Sequence, residues 1–132
     1  MKRELQAVDQ VFKALADPNR IRILGLLSKG EICVCHIYES LRQPQSLVSR
    51  HLAYLRRAGL VEARKEGLWV HYRIAAQRDD VMRTLLDAVY HCVGHLSTVA
   101  KDAKRLEKTT GCCAVAQPAP DFACCASTEL AP

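Results

Sequence analysis

The sequence predicts a mainly α-helical domain with a small β-hairpin, and three observations predict it. Apolar residues recur with helical spacing in separate segments, most clearly over residues 5–15, 46–59 and 81–99. Residues 60–74 instead alternate apolar and polar side chains on both sides of a glycine-containing turn. The length of 132 residues and the 49% hydrophobic content suit one domain with a modest core.

The N-terminal part of the chain predicts two helices. The first carries an apolar stripe made of Leu5, Val8, Val11, Phe12 and Leu15. A second helix follows at once, because Asp17 can cap it and Pro18 suits its first position. Gly30 is expected to end it.

A third, short helix is expected from E-I-C-V-C-H-I-Y-E-S-L at 31–41, and it begins with two cysteines. A helix turns about 100° per residue, so the side chains of Cys33 and Cys35 would point roughly 200° apart. We therefore expect the helix to separate the two thiols. An ion bound to both would then have to distort the first helical turn.

A fourth helix follows the turn R-Q-P-Q at 42–45, with Ser46 as its expected cap and Gly59 as its end. One face is apolar. The other face carries amide, hydroxyl and guanidinium groups, which bind base edges and phosphates in DNA-binding helices. These groups belong to Gln45, Ser49, Arg50, Tyr54 and Arg57.

The hairpin over 60–74 is predicted to be followed by a single long helix that begins after Asp79 and Asp80. Its apolar stripe consists of Val81, Leu85, Val89, Cys92, Leu96 and Val99. So long a stripe at the end of a small domain usually packs against a partner subunit, which predicts a homodimer.

Together these elements predict a winged helix-turn-helix, in which the hairpin is the wing. All 19 Lys and Arg residues lie within residues 1–108, against 12 Asp and Glu, a formal charge of +7. Such a basic body favours double-stranded DNA as partner. Residues 1–108 are thus interpreted as the DNA-binding and dimerisation domain.

Residues 109–132 are interpreted as a flexible tail, because they are rich in alanine and proline and show no period. No apolar run is long enough for a membrane span, and no secretory segment is present, so we expect a cytoplasmic protein. Seven cysteines in such a chain indicate metal binding or redox chemistry.

Four motifs in this order resemble the arsenical resistance operon repressor family of winged-helix metalloregulators. They are A-L-A-D-P-N-R-I-R-I-L at 14–24, E-I-C-V-C at 31–35, S-R-H-L-A-Y-L-R-R-A-G-L-V at 49–61 and G-L-W-V-H-Y-R-I at 67–74. The resemblance implies a homodimeric repressor, not an enzyme, that releases operator DNA when a metal or metalloid binds.

By position, the resemblance implies that Cys33 and Cys35 form the inducer site. It also implies DNA contacts from the recognition helix and the wing, at Gln45, Ser46, Ser49, Arg50, His51, Arg64 and Lys65. The inducer it implies is As(III) or Sb(III), with no resident cofactor.

One departure from the family pattern leaves the third ligand open. Tyr38 stands where arsenite-responsive relatives often carry a third cysteine, and tail thiols such as Cys112 or Cys113 are candidates instead. Arsenite is soft and favours thiolates, although two sulfurs plus an exogenous ligand suffice. A thiol-based redox sensor and a cadmium- or lead-responsive repressor of the same fold remain alternatives.

Overall fold

The computed structural model describes residues 2–109, within which six helices and three strands follow one another. They are α1 Lys2–Leu15, α2 Pro18–Leu27, β1 Ile32–Cys33, α3 Val34–Leu41, α4 Gln45–Arg57, β2 Val61–Glu66, β3 Trp69–Ile74, α5 Asp80–Gly94 and α6 Ser97–Thr109. The predicted tail therefore lies outside the described residues, apart from Thr109, which ends α6. No helix in the described range combines the length and apolar character of a membrane span.

Helix α2 lies in the hydrophobic core and begins where the sequence predicts. The Asp17 carboxylate accepts hydrogen bonds from the backbone N–H groups of Asn19 at 2.8 Å and Arg20 at 3.2 Å. These bonds satisfy two donors that the first helical turn leaves free. The apolar side chains of its second half are almost completely buried, and they are Ile23, Leu24, Leu26 and Leu27.

The helix-turn-helix consists of α3 and α4. Helix α3 ends at Leu41, and the next residue, Arg42, adopts the left-handed conformation (φ 57°) that closes many helices. The prediction that Ser46 caps α4 is wrong. Pro44 precedes the helix with extended backbone (φ −61°, ψ 146°), so the helix already begins at Gln45, without a side-chain cap.

The hairpin prediction is confirmed, with Gly67 at its tip in the left-handed region (φ 66°). A third strand, β1, extends the sheet in the order β1-β3-β2, with all pairs antiparallel. In this register Ile32 lies opposite Tyr72 and Cys33 lies opposite His71. A strand of two residues is too short to show an alternating pattern in the sequence. Strand β1 is therefore recognisable only from its pairing with β3.

The prediction of one long terminal helix is wrong, because α5 ends at Gly94 and α6 begins at Ser97. The backbone N–H groups of His95 and Leu96 close a tight turn onto earlier carbonyls, at 3.1 and 3.0 Å. Helix α6 then packs on α2 and α3. The approach to α2 is so close that a Cβ atom on Gly25 would lie 2.7 Å from Val99 Cγ1.

Candidate functional site

The two cysteines at the start of α3 lie side by side. The Sγ atoms of Cys33 and Cys35 are 3.4 Å apart, and each residue is only 3% exposed. The expectation that a helix separates these thiols is therefore wrong. Cys33 precedes the helix with extended backbone (φ −68°, ψ 143°), and only Cys35 lies in the first helical turn.

Pairing between β1 and β3 explains this local structure. Cys33 lies opposite His71 in the antiparallel ladder, which keeps its backbone extended up to the first residue of α3. The change from strand to helix between Cys33 and Cys35 rotates the two side chains towards each other. The sulfur pair therefore occupies the junction between the sheet and the helix-turn-helix.

The donor set suits a soft ion. Two sulfurs bound to one ion at about 2.3 Å each can be at most about 4.6 Å apart, and the observed 3.4 Å satisfies this limit. Within residues 2–109, no cluster of three or more His, Cys, Asp or Glu side chains is placed to hold a metal ion. At this site the described residues thus supply two thiol donors, Cys33 and Cys35.

His36 follows the second thiol and is 3% exposed. Burial, with a smaller effect from the nearby His71, lowers its pKa from 6.5 to about 4. The imidazole is therefore neutral near pH 7 and adds no positive charge beside the sulfur pair.

Helix α4 carries six of the predicted DNA-contacting residues. Four of them have exposed side chains, namely Gln45, Ser46, Ser49 and Arg50. The other two, His51 and Tyr54, are half-buried and lie against Arg20 of α2. The Arg20 guanidinium is 3.3 Å from His51 Nδ1 and 4.0 Å from the centre of the Tyr54 ring.

The two predicted wing residues differ in their surroundings. Lys65 is exposed at the end of β2. Arg64 forms two hydrogen bonds with Glu31, at 2.7 and 3.1 Å, and one with Glu66 at 3.2 Å. The wing arginine is therefore paired with carboxylates, one of them on the residue immediately before β1.

Sequence reasoning missed a buried ion network at the other end of α3. Asp102 of α6 is fully buried and accepts hydrogen bonds from Arg22 (both 2.9 Å) and Arg105 (2.6 Å). The two arginines also donate to the carbonyls of Leu41 and Ser40, which the end of a helix leaves unpaired. The charged residues were visible in the sequence, but nothing in it indicated that α6 folds back onto α2 and α3.

Comparisons with known proteins agree with this architecture. The profile of the arsR family of bacterial regulatory proteins matches residues 17–63. The chain is 45% identical over 84 residues to the arsenical resistance operon repressor of Escherichia coli K12, covering 63% of this chain and 72% of that protein. It is 34% identical over 116 residues to the arsenic resistance transcriptional regulator ArsR2 of Pseudomonas putida KT2440, covering 87% and 95%.

A solved structure shows the same fold. The homodimeric winged helix-turn-helix DNA-binding domain of Mb0332 from Mycobacterium bovis, described as a possible ArsR-family regulator, superposes with a TM-score of 0.59. The two sequences are 35% identical, and the match covers 73% of this chain and 90% of that structure. The winged helix-turn-helix predicted from the sequence is thereby confirmed.

Proposed function

This chain belongs to the ArsR family of bacterial transcriptional regulators, and on that premise we propose that trivalent arsenic or antimony releases it from operator DNA. The observation that carries the proposal is the buried sulfur pair, Cys33 and Cys35, with 3.4 Å between the Sγ atoms. Thiolates are the donors that soft ions prefer, and the pair is already close enough for one ion. The similarity to two arsenic-resistance regulators supports the same inducer.

Binding of arsenous acid at this pair is a ligand exchange. Each As–S bond forms as an arsenic-bound hydroxyl group leaves with the thiol proton as water. Two thiols thus displace two hydroxyl groups, and the third hydroxyl stays unless another thiol replaces it. No electrons are transferred, so the reaction needs no oxidant or reductant.

Release of DNA is proposed to follow from the place of the pair in the fold. Cys33 ends the strand that pairs with β3 of the wing, and Cys35 lies in the helix that precedes α4. A covalent bridge through one ion fixes the angle between the sheet and the helix-turn-helix. Because operator binding requires both parts to fit DNA together, a changed angle weakens binding.

The proposed DNA-binding surface combines the start of α4 with the wing. Polar groups at the start of the recognition helix enter the major groove, whereas the wing contacts the phosphate backbone. The residues assigned to this surface are Gln45, Ser46, Ser49, Arg50, His51, Tyr54, Arg64 and Lys65.

A homodimer is proposed because α1, α5 and the turn after α5 leave large apolar side chains on the surface. The exposed fractions are 70% for Leu5, 53% for Phe12, 76% for Val81 and 43% for Leu96. Water contact with such groups is unfavourable, and a second copy of the chain would cover them. The solved relative from Mycobacterium bovis is homodimeric.

The proposal is tested by arsenite titration of the protein bound to a fluorescent operator fragment. We expect arsenite to release the wild-type protein, whereas Cys33→Ser and Cys35→Ser keep DNA affinity but lose the response. Cys92→Ser is the matched control, because Cys92 is an exposed thiol on α5. A double variant lacking Cys33 and Cys35 that still leaves DNA with arsenite would contradict the proposal.

The third sulfur is proposed to come from Cys112 or Cys113 of the segment 109–132, which we propose as a tail separate from the domain 1–108. Ser replacement of both residues should leave DNA binding unchanged and raise the arsenite concentration needed for half-release. The same replacement at Cys124 and Cys125 is the control and should have no effect. If both double variants need the same arsenite concentration for half-release, neither Cys112 nor Cys113 is the third ligand.

A second candidate function is redox sensing, which the short sulfur–sulfur distance also favours. Peroxide can oxidise the two thiols to a disulfide with release of two water molecules, which needs an approach from 3.4 Å to about 2.05 Å. Peroxide would then release DNA, and a dithiol reductant would restore binding. Cadmium and lead in the same titration test the soft-metal alternative.

A further inference from the structure

Cys33 of the thiol pair and the wing arginine Arg64 lie in one row of the sheet. Cys33 lies opposite His71 on β3, and His71 lies opposite Arg64 on β2. Residues directly opposite each other in a sheet project from the same face. Arg64 therefore stands on the same face as Cys33, two strands away.

A carboxylate from the thiol-bearing segment holds this arginine. Glu31 accepts hydrogen bonds from Arg64 Nη2 at 2.7 Å and from Arg64 Nε at 3.1 Å, a bidentate arrangement. Glu66 accepts a third bond, from Nη1 at 3.2 Å. The two carboxylates together offset the positive charge of Arg64, so the guanidinium is not free to bind phosphate as it stands.

We propose that Glu31 competes with the DNA phosphate backbone for Arg64, and that this competition transmits the state of the thiol pair to the wing. The inference rests on the proposed function. A phosphate group accepts the same bidentate hydrogen bonds from a guanidinium as a carboxylate does. Arg64 therefore cannot satisfy both partners with the same donors.

The link to the thiol pair is the short path along the chain. Glu31 lies two residues before Cys33 and next to β1. An ion that joins Cys33 to Cys35 fixes the end of β1, and with it the position of the Glu31 carboxylate. In the inducer-bound state Glu31 retains Arg64, and the wing loses a phosphate contact.

The experiment measures operator affinity of the full-length protein at several salt concentrations, first without arsenite. Glu31→Gln should bind DNA about fivefold more tightly than wild type. With arsenite present, the slope of log affinity against log salt should be shallower by about one in wild type than in Glu31→Gln, because only wild type loses the Arg64–phosphate contact. Glu62→Gln is the control, since it removes the same charge from an exposed pair with Arg73 on the same hairpin.

Two further comparisons decide the proposal. In an Arg64→Ala background, Glu31→Gln should have no effect on affinity. Arsenite should reduce the operator affinity of Glu31→Gln by a smaller factor than it reduces that of wild type. Three results would overturn the proposal. Glu62→Gln could tighten DNA binding as much as Glu31→Gln does, or Glu31→Gln could still tighten binding in the Arg64→Ala background. The third is an operator affinity of Glu31→Gln equal to that of wild type.

These outcomes distinguish failure of the proposed inducer from failure of the proposed competition for Arg64. If arsenite fails to release wild-type protein, the proposed inducer is wrong. The measurements without arsenite still show whether Glu31 and DNA compete for Arg64.

Discussion

At the scale of single residues, Arg20 fixes the recognition helix to the rest of the domain. Its guanidinium donates to the carbonyls of Ala14 at 2.9 Å and Lys13 at 3.1 Å, at the end of α1. The same group contacts His51 and stacks on Tyr54 of α4. This half-buried arginine therefore connects three helices, and the residues at the start of α4 remain the more exposed part of the proposed DNA-binding surface.

The clearest residue-scale prediction concerns Arg50, which is exposed near the start of α4. Arg50→Ala should weaken operator binding by about 1–3 kcal/mol if the side chain bonds a base edge. Arg56→Ala is a matched control, because it removes the same charge from an exposed position in the last turn of α4. If the two variants bind the operator equally well, and also bind unrelated DNA equally well, then Arg50 is not part of the DNA-binding surface.

At the scale of elements, the prediction concerns the attachment of α6 to α3 through the buried Asp102. Asp102→Asn removes the charge that two arginines share, and it should lower the free energy of unfolding by about 3–5 kcal/mol. Asp9→Asn is the control, because its pair with Lys13 (3.0 Å) is exposed and should contribute less than about 1 kcal/mol. Urea denaturation measures both, and equal midpoints would contradict a stabilising role for the network.

Elements with local signals were predictable, whereas those that depend on distant partners were not. Asp17 and Pro18 indicated the start of α2, and the alternation around Gly67 indicated the hairpin. Strand β1 was missed because its two residues are extended only through pairing with β3. For the same reason the sequence does not indicate the approach of Cys33 to Cys35, although the family resemblance implies that both residues form the inducer site.

The division between α5 and α6 was missed for a different reason. The apolar spacing continues through Leu96 to Val99, so the sequence alone indicates one uninterrupted helix. In the structure these two residues have separate environments, because Leu96 is 43% exposed while Val99 is 2% exposed and packs against Gly25. Periodicity reports which residues are apolar but not which surface each one faces.

At the scale of the whole molecule, the proposed dimer is tested through the apolar surface of α1 and α5. Phe12→Asp should shift the protein from dimer towards monomer in sedimentation experiments, because burial of a charge opposes association. Leu68→Asp is the control, since Leu68 is 82% exposed at the hairpin tip, away from these helices. A wild-type protein that sediments as a monomer at micromolar concentration would contradict the dimer.

In the proposed inducer-bound state, one arsenic atom joins the sulfurs of Cys33 and Cys35. X-ray absorption at the arsenic edge tests it most directly, on full-length protein whose four tail cysteines are replaced by serine. We expect two sulfur neighbours of arsenic in this protein, and only oxygen neighbours after further replacement of Cys33 and Cys35 by serine. A sulfur shell that survives in that variant, or arsenic bound only to oxygen when both cysteines are present, would contradict the account.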